Sequence, residues 1–168
     1  KIFYHINKNK KELKIMKIFD CFMYFDEDIV LDVRLNYLND YVDKFVIVEA
    51  KYNHKGEKRI PKFDIENFHK FKDKIIYLLV DQEAPLLEKI NSFDSNEKKS
   101  GKHIMNALKR ENFQRNSIAD GLSDATDKDW IIISDLDEIP NLKDNNLKNI
   151  EAPIVFFKQL MMYYKFNL

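Results

Sequence analysis

Four stretches of nearly unbroken apolar residues recur along the chain: Ile18–Phe25, Lys44–Ala50 (KFVIVEA), Lys74–Val80 (KIIYLLV) and Asp129–Ser134 (DWIIIS). Successive side chains of a strand point to opposite faces, so a strand that is apolar at consecutive positions must be covered on both sides. Helices have to lie between these runs. After the first, Asp26-Glu27-Asp28 offers an N-cap and negative charge to a helix start, and Leu31, Leu35, Leu38 and Val42 follow at helical spacing. One short helix is expected between the second and third runs, and a longer one before the fourth. Strands of this kind alternating with helices imply an α/β fold, with a mostly parallel, Rossmann-like sheet and helices on both faces. Pro153–Leu168 begins as a further strand (IVFFKQL) and ends on aromatics, and Asn91–Lys102, charged and carrying Ser95, Ser100 and Gly101, is expected to be an exposed loop.

Length and composition bound the rest. A chain of 168 residues buries about 70% of its unfolded surface, enough for one domain with a true core. Residues 1–16 mix bases and polar groups without a period and are expected to be a peripheral extension, leaving 17–168 as the folded domain. Lys+Arg and Asp+Glu both number 28, so no overall basic field gathers nucleic acid, and the lysine-rich stretches lack regularly interleaved aromatics. No apolar run approaches the roughly 20 residues of a membrane span. Cys21 is the only cysteine, which excludes an intrachain disulfide and a thiolate zinc cluster and favours a reducing, cytoplasmic setting. The 28 basic residues include only four arginines, at 34, 59, 110 and 115. Where lysine is so preferred, an arginine marks a need for its planar fork.

Chemistry concentrates at Ser134-Asp135-Leu136-Asp137-Glu138-Ile139-Pro140, directly after the fourth run. In an open parallel sheet, ligands bind outside the carboxyl ends of the strands. Asp135 and Asp137, two apart at such an end, can present oxygens to one Mg²⁺ or Mn²⁺, with other positions left to water and substrate phosphate. The plainer reading is a solvated acidic turn. A helix over residues 104–122 would place Ile104, Leu108, Ile118, Ala119 and Leu122 on one apolar stripe, with Glu111 and Arg115 in its middle. Charges are costly to bury unpaired, so these two either form an internal ion pair or face a ligand cavity. Arg110 and Gln114 lie on the flank. Glu49 ends the second strand and can reach a ligand there; His54 reads as a loop residue, and Asp32 and Arg34 as surface charges.

These strings in order, FDCFMYFDE at 19–27, VRLN at 33–36, VDKFVIVEA at 42–50, HKG at 54–56, Arg110-Glu111 with Gln114-Arg115-Asn116, and SDLDEIP at 134–140, resemble glycosyltransferase family 17 from about Lys17 onward. The resemblance implies a GT-A type nucleotide-sugar fold and an inverting transferase of the β-1,4-mannosyl-glycoprotein 4-β-N-acetylglucosaminyltransferase kind, which acts in N-glycan processing. It further implies a UDP-N-acetylglucosamine donor, a glycan or glycolipid acceptor, and Mn²⁺ or Mg²⁺ as cofactor. By motif position, Asp135 and Asp137 would be the metal aspartates. Glu49, Arg110, Glu111 and Arg115 would join Asp135 on the donor side, with Glu138 as the candidate base. Only 31 residues follow Asp137, so a truncated C-terminal, acceptor-binding half is expected. Two competing readings remain: a degenerate nucleotide-sugar or glycan-binding module without turnover, and a haloacid-dehalogenase-like phosphotransferase, whose nucleophile also sits in Asp-x-Asp after an apolar strand.

Overall fold

The computed structural model describes residues 16–160, so the expected extension lies outside the described residues except for Met16. All four apolar runs are strands: β1 (Ile18–Tyr24), β2 (Lys44–Ala50), β3 (Ile75–Val80) and β4 (Trp130–Ile133). They form one sheet in the order β3-β2-β1-β4, and every pairing is parallel. Helix α1 (Asp28–Leu38) connects β1 to β2, a 3₁₀ segment (Ile65–Phe71) precedes β3, and α2 (Asn96–Asn116) followed by a 3₁₀ segment (Ser117–Gly121) precedes β4.

Alternation along each strand divides the core between the two faces, as continuous apolar runs require. Ile18, Phe22 and Tyr24 of β1 and Phe45 and Ile47 of β2 pack with Leu31, Leu35 and Leu38 of α1 and with Phe68 and Phe71. Phe19, Cys21, Val46 and Val48 face the other way, against Ile118. Burial, then the neighbouring Asp20 carboxylate, pushes the Cys21 thiol up to about 12, so it packs as an inert apolar group. Gly121 brings the 3₁₀ segment down onto this second face. A β-carbon there would lie 2.6 Å from Val46 Cγ1 and 3.2 Å from Leu78 Cδ1, where a branched side chain and its neighbour would have to give way. Gly121→Ala is therefore expected to cost about 1–3 kcal/mol in urea unfolding. A neutral result would show that this face is loosely packed.

Three expectations change. Asn91–Lys102 is not a loop throughout: α2 starts at Asn96, with the Ser95 side chain accepting from Lys98 N at 3.3 Å. The acidic string before α1 gives no side-chain cap, because the Glu27 carboxylate turns back to accept from the N–H groups of Phe25 and Asp26, both at 3.0 Å. The segment read as a fifth strand, Pro153–Leu160, pairs with nothing among the described residues; Ile154, Phe156 and Leu160 are exposed and only Phe157 reaches the core. No helix among the described residues is long and apolar enough to cross a membrane.

Candidate active site at the end of the fourth strand

In the order β3-β2-β1-β4 the chain moves outward from β1 and then returns to its other side. The strand order therefore reverses between β1 and β4, and the ligand crevice of such a sheet opens at that point, beyond the strand ends. The acidic string Ser134–Glu138 leaves β4 there, with Ser134 N donating to the Cys21 carbonyl of β1 at 3.4 Å.

Arg34, read from the sequence as a surface charge, is fully buried beneath this string. Its Nε and Nη2 form a two-pronged pair with Asp20 of β1, at 2.8 and 2.7 Å. Nη1 donates to the carbonyls of Asp135 (2.8 Å), Leu136 (3.0 Å) and Glu138 (3.3 Å), and Nη2 also donates to Ser134 Oγ at 2.7 Å. The guanidinium lies over the Phe22 ring, 4.6 Å from its centroid. Carbonyl dipoles converging at a sharp turn repel one another, and a buried cation removes that repulsion. With those carbonyls drawn inward, the side chains of Asp135, Asp137 and Glu138 are exposed. The sequence carried only a weak signal for this: Arg34 borders the Leu31, Leu35, Leu38 stripe of α1, three residues after Leu31 and four before Leu38.

On the outer side, Asp135 Oδ1 accepts from Arg115 Nη2 at 3.0 Å, and the same nitrogen donates to Glu111 Oε1 at 3.1 Å. Glu138 Oε2 accepts from Asp135 N at 3.0 Å, which closes the turn. Glu111, Arg115, Asp135 and Glu138 thus meet at one place, and Glu111 and Arg115 form an ion pair that is partly exposed rather than internal. The apolar stripe around them is corrected. Ile104 and Leu108 are 62% and 45% exposed, and α2 stops at Asn116, before Ile118. The buried residues of α2 are instead polar. Gln114 donates to the Val48 carbonyl at 2.8 Å, and Asn106 exchanges two bonds with the backbone of Glu88.

Glu49 and Arg110 sit apart from that cluster. Glu49 is fully buried and accepts four bonds: from Arg59 Nη1 (2.7 Å), Lys62 N (2.7 Å), Phe63 N (3.1 Å) and the Tyr77 hydroxyl (2.8 Å). It ties the segment after β2 to the sheet. Arg59 carries that tie onward, stacking its guanidinium 4.0 Å from the Phe25 ring centroid and donating to the Phe25 carbonyl and to Ala50 O. Arg110 lies on another flank of α2, with Nε on Glu83 at 2.8 Å and Nη1 on the His54 carbonyl at 3.1 Å. Gly56, at φ +89°, leaves room for it, since a β-carbon there would come within 2.4 Å of Arg110 Nη2. The imidazole of His54 is on an exposed turn.

Among the described residues no three His, Cys, Asp or Glu side chains gather into a metal cage. The donor set at Asp135 and Asp137 suits the other class of site, in which one or two carboxylates hold a hard cation that water and substrate phosphate complete. Asp135 already takes a cationic group, the guanidinium of Arg115.

Comparison with known proteins finds that the sequence model of glycosyltransferase family 17 matches residues 3–167. No curated protein and no solved structure matches.

Proposed function

The chain belongs to glycosyltransferase family 17, and from that premise we propose that its crevice binds UDP-N-acetylglucosamine through a divalent cation on Asp135 and Asp137 and delivers the sugar, with inversion, to a glycan or lipid-linked acceptor. The observation that carries the reading is the acidic turn: exposed carboxylates at the carboxyl end of β4, at the sheet's switch point, on a backbone pinned from below by a buried arginine. The parallel order β3-β2-β1-β4 accords with the nucleotide-binding part of a GT-A type fold.

In this reading Asp135 and Asp137 would hold Mn²⁺ or Mg²⁺, which when bound supplies positive charge against the charge building on the leaving diphosphate. Arg115 stands beside Asp135 and adds a guanidinium to the same side. An acceptor hydroxyl attacks the anomeric carbon from the face opposite the diphosphate. The sugar–diphosphate C–O bond breaks with its electron pair on the leaving oxygen, and the hydroxyl proton passes to a carboxylate, with Glu138 the candidate. Glu49 and Arg110 serve the donor side by fixing the segments after β2 and around Gly56.

Thermal melting tests the reading. UDP with Mn²⁺ at about 100 times its dissociation constant is expected to add about 2.7 kcal/mol, a rise of several degrees for a domain of this size. The double variant Asp135→Ala/Asp137→Ala is expected to lose the rise while its unliganded melt stays within a few degrees. An equal rise in the variant would rule these carboxylates out, and GDP matching UDP would rule out the uridine assignment.

A further inference from the structure

All four arginines contact carboxylates, but they do so in two ways. Arg34, Arg59 and Arg110 each also bond backbone carbonyls and are packed in place, by Phe22, by Phe25 and by the turn at Gly56 respectively. Among the described residues the Arg115 side chain bonds no carbonyl. A single nitrogen, Nη2, divides itself between Glu111 and Asp135, while Nε and Nη1 have no hydrogen-bond partner among the described residues. The side chains of Arg115 and Asp135 are 33% and 55% exposed, and ion pairs at such exposure are weak and rearrange readily. Most of a planar donor fork is thus left unused beside the acidic turn, in a chain that elsewhere uses lysine where a point charge is enough.

We propose that Arg115 is an exchangeable counter-charge: it neutralises Asp135 while the crevice is empty, and gives that carboxylate up to turn its unused donors onto the diphosphate when the nucleotide enters with its cation. The inference rests on the functional reading above and adds to it an order of events. Without Arg115, the exposed carboxylates of Asp135, Asp137 and Glu138 would repel one another across an empty site. With it, a cation arriving alone must compete against a fixed positive charge, whereas a cation arriving with a diphosphate brings the anion that draws the guanidinium away. Glu111, one turn earlier on α2 and already bonded to Nη2, keeps the arginine close during the exchange. Arg115 would therefore bias the site against free metal and toward the metal–nucleotide complex.

Binding measurements on the full chain read this without recourse to turnover. Mn²⁺ alone is titrated by the loss of the free-ion electron paramagnetic resonance signal, and UDP is titrated calorimetrically at saturating Mn²⁺. Arg115→Met, which keeps bulk and removes charge, is expected to tighten Mn²⁺ alone about tenfold, because a like charge a few ångströms away is gone, and to weaken UDP about tenfold. Arg115→Lys is expected to hold Mn²⁺ at the wild-type affinity yet bind UDP more weakly, since the charge remains and the fork does not. If the wild type binds Mn²⁺ with UDP but Arg115→Met leaves Mn²⁺ alone unchanged or weaker, the counter-charge role is overturned and the functional reading survives. Tighter Mn²⁺ with unchanged UDP affinity overturns the transfer to diphosphate. A wild type that binds no UDP in the presence of Mn²⁺ overturns both.

Discussion

Arg34→Met is expected to lower the unfolding free energy by about 3–5 kcal/mol, the usual cost of removing one member of a buried ion pair. Asp20 would be left enclosed between β1 and α1 without its partner, and the carbonyls of Asp135, Leu136 and Glu138 would lose their common donor. At roughly 2–4 °C per kcal/mol for a domain of this size, the melt should fall by on the order of 10 °C. The informative control is Arg34→Met/Asp20→Leu. Exchanging a whole buried pair for apolar groups is often neutral, so much of the stability should return. The acidic turn should not recover with it, because nothing then gathers its carbonyls. The double variant is thus expected to be near wild type in urea unfolding and still defective in Mn²⁺–UDP binding. Should Arg34→Met unfold within 1 kcal/mol of wild type, the clamp is not what holds the turn; should the double variant bind normally, the turn keeps its shape unaided.

Glu49→Ala is the second large effect, also about 3–5 kcal/mol. The substitution leaves the Arg59 guanidinium, the N–H groups of Lys62 and Phe63, and the Tyr77 hydroxyl without their acceptor, most of them shielded from water. Glu49→Gln keeps one acceptor oxygen and should cost less, about 1–3 kcal/mol. Tyr77 reports the change independently. Burial, then its bond to Glu49, holds its phenol well above the ordinary tyrosine range. Removing the carboxylate should lower its titration, followed by absorbance at 295 nm, by the share that Glu49 contributes, with the share due to burial remaining. A phenol held above its unfolded value contributes stability that is complete below about pH 10 and is lost as the pH rises beyond it, so the wild type should weaken in alkali more steeply than Glu49→Ala. An unmoved Tyr77 titration in Glu49→Ala would assign its shift to burial alone.

The two cases mark where sequence reasoning stops. The strands were legible because a run such as Val46-Ile47-Val48 has no polar position to offer water, and this alone demands cover on two faces. Helix α1 was legible from Leu31, Leu35 and Leu38, and the acidic turn from its place after Ile131-Ile132-Ile133. Arg34, at the border of the α1 stripe, was misread because its partners lie 14 and about 100 positions away and no local period reports them. Glu49 was read as a strand-end contact for a ligand; the residues that surround it arrive from the segment after β2 and from β3. The α2 stripe failed for a related reason. Helical spacing shows that residues share a face, but whether that face meets a sheet or open solvent depends on how far the helix runs past what supports it. Here Ile104 and Leu108 lie on earlier turns than Gln114, which bonds the sheet.

From its sequence alone, then, the chain determined which segments must be strands, that they lie parallel and covered on both sides, and that its carboxylates cluster at a strand end. These follow from the apolar or polar character of neighbouring residues. Only the tertiary structure decided which charges are enclosed and whom they serve: Asp20 with Arg34 beneath the acidic turn, Glu49 with Arg59 under the segment after β2, and Arg115 left partly exposed beside Asp135. A charge is held inside a protein by the sum of its distant partners, and those partners become neighbours only once the sheet has brought the strand ends together.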